Sequence, residues 1–253
     1  MSGPGPHPEL RSASAHVFVA DLEAPELDQD DSHHLTRALR LRDGAAIGLS
    51  DGAGGWRLGR LKLGSGHSPG AGSGSGVRPA GVEPDGPITM DPAPEPALSL
   101  AVALPKGDRA DWAVQKLTEL GVDEIIVLDA ARSVVRWDGD RASRGTARLN
   151  RIIRQAAMQA RLTRLPRLSG PRTVAQLAAA GGAQTCAAAE PGAARAPDLA
   201  HPLVLIGPEG GWADGELPAG VARVGLGPTV LRTETAAVAA ATVLGLLRAG
   251  LLS

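Results

Sequence analysis

Apolar and polar positions along the chain follow two regimes. In the first, the runs are short and broken by turn residues. Residues 1–15 show no periodicity and read as a loose lead-in, and residues 16–20 read as a short strand. Leu35, Ala38 and Leu39 recur at helical spacing, with Ser32 placed to cap that helix. Asp43-Gly44 and Asp51-Gly52 mark turns on either side of a strand-like stretch at 45–49. Trp56, Leu58, Leu61 and Leu63 then alternate, imperfectly, with polar or small residues. Short strands joined by Asp-Gly turns predict a small β-barrel-like domain. From Gly64 to Gly76 nearly every residue is Gly, Ser or Pro, which cannot build a core and predicts a flexible insertion. Residues 79–96 are rich in Pro and acids and carry the expected boundary, near Pro96, between domains 1–96 and 97–253.

The second regime alternates longer elements. Residues 98–104 form a continuous apolar run of the buried-strand type. Asp108 is placed to cap a helix whose stripe is Trp112, Ala113, Leu117 and Leu120, ending at Gly121. Residues 124–129, 203–206 and 221–226 read as further strands. Leu149, Ile152, Ile153 and Ala156 share one helical face, and Thr233 is placed to cap an apolar helix running to about Leu247. Strands alternating with helices predict an α/β domain with a mainly parallel sheet.

Composition changes this picture in two places. Aromatics are reduced to Phe18 and four tryptophans, which argues against an aromatic stacking platform for single-stranded RNA. The net charge is only −1, yet eleven arginines and two acids lie between Ala131 and Arg172, a candidate phosphate-contacting face. The lone Cys186 predicts a core residue, not a disulfide or a metal cluster. No apolar run reaches membrane-spanning length and the start lacks signal-peptide character, so a cytoplasmic protein is expected.

Ligands of parallel α/β sheets bind beyond the carboxyl ends of the strands. Two glycine-bearing loops fall there: Gly207-Pro-Glu-Gly-Gly-Trp212, and Gly225-Leu-Gly-Pro-Thr-Val-Leu-Arg-Thr-Glu-Thr235. Glycine lets a ligand approach the main chain closely. Neither loop has the spacing of a phosphate-binding P-loop or dinucleotide fingerprint, and no metal-ligand spacing occurs; His33-His34 are adjacent, so they do not share a helical face.

These two loops closely resemble the terminal motifs of the RsmE family, 16S ribosomal RNA uridine-N3 methyltransferases of the SPOUT superfamily. The resemblance extends, in order, to His33-His-Leu-Thr-Arg-Ala-Leu-Arg-Leu-Arg42, Leu104-Pro-Lys-Gly-Asp-Arg109, Lys116-Leu-Thr-Glu-Leu-Gly-Val122, Ser133-Val-Val-Arg-Trp137 and Gln155-Ala-Ala-Met-Gln159. It covers most of the chain outside residues 64–96 and 173–200. It implies a trefoil-knot α/β methyltransferase domain, a PUA-like N-terminal β domain that helps to hold RNA, and a homodimer acting on 16S ribosomal RNA or the small ribosomal subunit without a metal. It implies S-adenosylmethionine as cofactor, held by the two loops at Leu205, Gly207, Gly210, Gly211, Leu226, Gly227 and Leu231. Methylating N3 of uridine requires loss of its proton. Glu234 is the candidate base with Glu209 as fallback, and Arg232 the candidate for stabilising charge on the uracil oxygens. Glu234 also reads simply as a first-turn acid favoured by the helix dipole. Arg37, Arg40, Lys106, Arg136, Arg154 and Arg161 are the candidate RNA contacts. The family usually has Arg where this chain has Thr229, and often where it has Leu162. Alternatives in view are a knotted methyltransferase acting on another RNA or on a ribose hydroxyl, and a non-catalytic RNA-binding assembly factor.

Overall fold

A computed structural model describes residues 7–64, 80–135 and 139–252. The described residues divide into two compact units: one of residues 7–93 with 157–164, the other of residues 94–156 and 165–252. Arg136, Trp137 and the Gly/Ser-rich segment 65–79 lie outside the described residues.

The N-terminal unit opens with α1 (Pro8–Ser12) and β1 (Ala15–Phe18). The expected loose lead-in is therefore partly ordered, because Leu10 is fully buried and ties α1 down. In α2 (Gln29–His33) the cap is Asp28, not Ser32; its side chain accepts the N–H of Asp31 at 2.7 Å. The Ser32 hydroxyl is used elsewhere, accepting the N–H of Ala80. A π-helical turn, His34–Ala38, follows, burying Leu35 and leaving Leu39 exposed. The sheet has the order β1-β2-β3-β4, with β2 (Ala46–Ser50), β3 (Gly55–Leu63) and β4 (Ala80–Met90); β1 and β2 are parallel and the other pairs antiparallel. Val17, Leu35, Ile47, Leu49 and Leu61 form its core.

Strand β4 was not expected from a segment rich in Pro and acids. It is possible because β4 is an edge strand, where Pro84 and Pro87 leave no central ladder unpaired. Its acids pair across to β3, Glu83 with Lys62 and Asp85 with Arg60, each at 2.9 Å. At its end Asp91 gathers the unit. One carboxylate oxygen meets His7 Nε2 at 2.8 Å and accepts Trp56 Nε1–H at 3.3 Å, and the other accepts the Thr163 hydroxyl at 2.7 Å. Asp91→Ala leaves three polar groups short of a partner and is expected to destabilise this unit by about 2–3 kcal/mol in urea unfolding. An unchanged unfolding midpoint would show that the cluster contributes nothing.

The second unit is built on six parallel strands in the order β10-β8-β9-β5-β6-β7. In chain order its elements are β5 (Ser99–Val102), α3 (Asp108–Glu119), β6 (Glu124–Leu128), α4 (Gly139–Ala160), β7 (Arg167–Arg172), α5 (Val174–Gly181), β8 (Cys186–Ala189), β9 (Leu203–Ile206), β10 (Ala222–Val224) and α6 (Thr233–Arg248). The period-two alternation of a strand sorts its side chains between two cores. Leu100 and Val102 pack with Val114, Leu117, Ile153 and Leu244 of α3, α4 and α6; Ala101 packs with Val174 and Leu177 of α5 on the other face.

Three features of this unit differ from the pattern of its sequence. The N-cap of α3 is Gly107, at φ 64 and ψ −142, a conformation that favours glycine, so Asp108 lies inside the helix. Trp112 is 44 % exposed, and the buried stripe is Ala110, Ala113, Val114 and Leu117. Strands β7 and β8 and helix α5 were not foreseen. β8 is a cysteine and three alanines that pack tightly inside the sheet but carry no large apolar residue, and β7 is a polar edge strand holding Pro171. Cys186 is fully buried, as read from the sequence, and burial pushes its thiol pKa up. No described helix is long and apolar enough to cross a membrane.

Candidate active site

Because β8, β9 and β10 are parallel neighbours, their carboxyl ends open on one edge of the sheet and three loops meet there. Together with the start of α6 they line a cleft of about 660 Å³, including its open mouth. Ala189 comes from the end of β8, Glu190 and Pro191 from the loop after it, and Gly207, Pro208, Glu209, Gly211 and Trp212 from the loop after β9. Leu226, Gly227, Thr229, Val230 and Leu231 come from the loop after β10, and Thr233 and Ala236 from α6.

The glycines have distinct duties. Gly207 faces the indole of Trp212, whose atoms would lie 3.0–3.3 Å from an added Cβ. That indole donates Nε1–H to the Ala189 carbonyl at 3.1 Å, so Trp212 joins two of the loops. Gly211 and Gly227 have φ of 69 and 130, and an added Cβ would meet no atom of the described residues within 4 Å. Both line the cleft, so the missing side chains leave room that a ligand can use against the main chain.

The loop leading into α6 is held by two earlier loops. The N–H of Gly225 donates to the Arg195 carbonyl at 2.7 Å, and the Thr233 hydroxyl donates to the Gly207 carbonyl at 3.1 Å. Thr233 was expected to cap α6. It lies inside the helix instead, because its hydroxyl is spent on Gly207; Arg232 occupies the N-cap position and makes no side-chain cap bond.

Charge is arranged asymmetrically. Among the described residues the lining contains two carboxylates, Glu190 and Glu209, and no Lys or Arg. Glu190 pairs with Arg223 at 3.2 Å. Glu209 pairs with Arg109, in the first turn of α3, at 3.2 Å. The same Arg109 nitrogen lies 3.7 Å from Oε1 of Glu234. Glu234 is only 7 % exposed, and its Oε2 is buried without a hydrogen-bond partner.

A family described as an RNA methyltransferase domain matches residues 92–245, and an RNA methyltransferase PUA domain matches residues 27–68. The ribosomal RNA small subunit methyltransferase E of Mycobacterium bovis is 35 % identical over 236 residues, covering 87 % of this chain and 86 % of that protein. The chain belongs to this family of RNA methyltransferases. Among solved structures, a probable rRNA methyltransferase from Porphyromonas gingivalis matches with TM-score 0.74 and 25 % identity, over 94 % of this chain and 100 % of that one. A ribosomal RNA small subunit methyltransferase E from Neisseria gonorrhoeae, solved bound to S-adenosylmethionine, matches with TM-score 0.72 and 26 % identity, over 90 % of this chain and 95 % of that one. The α/β unit thus has the SPOUT methyltransferase fold, and a PUA domain precedes it.

Within this family fold, the structure brings Gly207, Glu209, Gly211, Leu226, Gly227 and Leu231 together at the cleft. It does not place four other candidates on the lining. Leu205 is fully buried in the core beside Ala101 and Ile126. Gly210 faces Arg132, whose Nη1 donates to the Gly210 carbonyl at 2.9 Å. Arg232 is exposed, and Glu234 faces Arg109. Of the candidate RNA contacts, Arg37, Arg40 and Lys106 are exposed and Arg154 is half-buried. Arg161 is turned to the carbonyl of Ala13 at 3.0 Å, and burial lowers its pKa.

Sequence reasoning missed the loop after β8, because a strand of small residues gives no apolar run to mark its end. It also passed over Arg109. That residue stands in a recognised motif, but only the fold shows that it meets two acids, one from the loop after β9 and one from α6.

Proposed function

We propose that the protein transfers a methyl group from S-adenosylmethionine to N3 of a uridine in small-subunit ribosomal RNA. The observation that carries this reading is the chemistry of the cleft. Two carboxylates, no cation among the described lining residues, apolar walls from Ile206, Leu226, Val230 and Leu231, and room beside Gly211 and Gly227 suit a ligand with a positive charge and an apolar ring. A phosphate-bearing ligand would call for the opposite charge. S-adenosylmethionine bound there would supply an activated methyl group on sulfur. Gly207, Gly211, Leu226, Gly227 and Leu231, with Trp212 and Thr233, are the residues that would hold it. The similarity to the Mycobacterium and Neisseria proteins, named as small-subunit ribosomal RNA methyltransferases, supports the RNA substrate.

The residues of this chain would then orient the base and accept a proton. Glu209 lines the cleft, so the reading gives it the N3 proton. Glu234 and Arg109 hold Glu209 in place, with Arg109 between the two carboxylates. Arg232, exposed at the start of α6, would stabilise negative charge reaching the uracil oxygens. The exposed Arg37, Arg40 and Lys106 would contact RNA phosphates. The protein would work in the cytoplasm as a homodimer, on small-subunit RNA or on the subunit itself.

The test is radiolabelled methyl transfer to small ribosomal subunits lacking the modification, with mass spectrometry of the product nucleosides. N3-methyluridine is expected. A methylated ribose, or no transfer by an enzyme that binds the cofactor, would refute the assignment. In the same assay, at saturating cofactor, Glu209→Gln is expected to lower kcat by about 100-fold or more. An unchanged kcat would remove Glu209 from the proton path.

A further inference from the structure

The loop between β8 and β9 lies outside every motif that carries the resemblance to the RsmE family, yet it borders the cleft through Glu190 and Pro191. Its hub is Asp198. Oδ1 accepts the backbone N–H groups of Ala200 at 3.0 Å and His201 at 3.1 Å and meets His201 Nδ1 at 2.7 Å. Oδ2 accepts Nε and Nη2 of Arg195 at 3.0 and 2.5 Å. One carboxylate thus closes the loop upon itself, in an arrangement that only an acceptor with two oxygens can satisfy.

That closure reaches the cleft through the main chain. The Arg195 carbonyl accepts the Gly225 N–H at 2.7 Å, and the Val224 carbonyl accepts the Glu190 N–H at 2.9 Å. A Cβ on Gly225 would collide with the Ala193 carbonyl. The loop is therefore sewn, backbone to backbone, to the two residues that lead directly into Leu226 and Gly227 of the cleft.

We propose that Asp198 is a positioning residue for the cofactor cleft: by gathering Arg195 and His201 it sets the Arg195 carbonyl that anchors Gly225, and so holds the loop 225–231 in its ligand-accepting form. This rests on the reading that the cleft takes S-adenosylmethionine. Asp198 is not on the cleft lining, so it acts through the chain. Partial burial pushes its carboxyl pKa up, but the hydrogen bonds and charges of His201 and Arg195 outweigh this and leave it below the ordinary carboxylate range. The net direction shows that the ionised form is the one the loop is built around.

Two readouts test the proposal on the full-length protein. The first is hydrogen exchange of the apo protein by mass spectrometry. In Asp198→Ala, peptides covering 224–231 are expected to exchange about tenfold faster, with β5 and β6 unchanged. The second is calorimetric titration with S-adenosylmethionine, where the dissociation constant is expected to rise about tenfold. The KM for the cofactor should rise in step while kcat at saturation holds, and Asp198→Asn should recover part of the loss. Arg195→Ala, at a half-exposed side chain, should reproduce the effect and add little when combined with Asp198→Ala, which keeps the test open if Asp198→Ala folds poorly. Unchanged exchange at 224–231 in both variants would overturn the proposal, as would a kcat loss without a change in cofactor affinity. If the wild-type protein binds no S-adenosylmethionine, the functional reading fails, and the exchange measurement still decides whether Asp198 holds the loop.

Discussion

Gly225→Ala is expected to weaken cofactor binding by about 10- to 100-fold and to loosen the end of β10, although it adds a single methyl group. The added Cβ would strike the carbonyl oxygen of Ala193 and lie 3.1 Å from its carbon. Both partners are main chain, so no rotamer change relieves the clash, and one of the two loops must move. Overpacking of this kind typically costs about 1–3 kcal/mol. Moving either loop also strains the Gly225 to Arg195 hydrogen bond on which the mouth of the cleft depends. Gly245→Ala is the matched control. It lies inside α6 with its nearest neighbour, the Leu120 carbonyl, at an ordinary 3.6 Å. There the substitution is expected to stabilise by about 0.5–1 kcal/mol, because alanine loses less backbone entropy in a helix. Titration calorimetry and thermal melts on the pair read both effects. A Gly225→Ala protein that binds the cofactor within threefold of wild type would show that the two loops do not approach so closely.

Leu205→Ala is expected to lower stability by about 2–5 kcal/mol. The residue is fully buried in β9, a central strand, among Ala101, Ile126, Leu128 and Leu177. Truncation leaves a cavity walled by strands on which the whole sheet relies, so collapse around it will be incomplete. For a chain of this size the loss corresponds to a fall in melting temperature of about 5–15 °C. The family resemblance assigns Leu205 to the cofactor, whereas its burial assigns it to the core. The two roles separate cleanly, since a packing residue lowers stability and leaves the affinity of the folded protein within about threefold. A large loss of affinity without a loss of stability would return Leu205 to the cofactor site.

What could be read from the residues follows from where each signal resides. Strands β5, β6 and β9 stood out because a strand buried on both faces must be apolar at every position. Strand β8 is just as buried, but its alanines gain their place from the closeness of β9 and β10, which no local pattern reports. Prolines hid β4, because only the sheet order makes it an edge. The misplaced caps share one cause. Ser32, Asp108 and Thr233 all have suitable chemistry, but Asp28 and Gly107 held better positions, and distant backbone groups claimed the hydroxyls of Ser32 and Thr233.

The same division runs through the site. The glycine loops were legible because a close main-chain approach or a positive φ leaves its mark in the residue type itself, as at Gly211 and Gly227. The arginine-rich stretch was legible as charge, but not as use: Arg161 is engaged with Ala13, and its burial shows only in three dimensions. The sequence by itself determined the α/β class and the place of the two glycine loops, since these depend on neighbours within a few residues. The tertiary structure alone decided that a third loop completes the cleft, that Arg109 stands between Glu209 and Glu234, and that Asp198 braces Gly225. Those contacts depend on strand order and on hydrogen bonds between distant segments, and such pairings are set by how the whole sheet packs, which no stretch of neighbouring residues encodes.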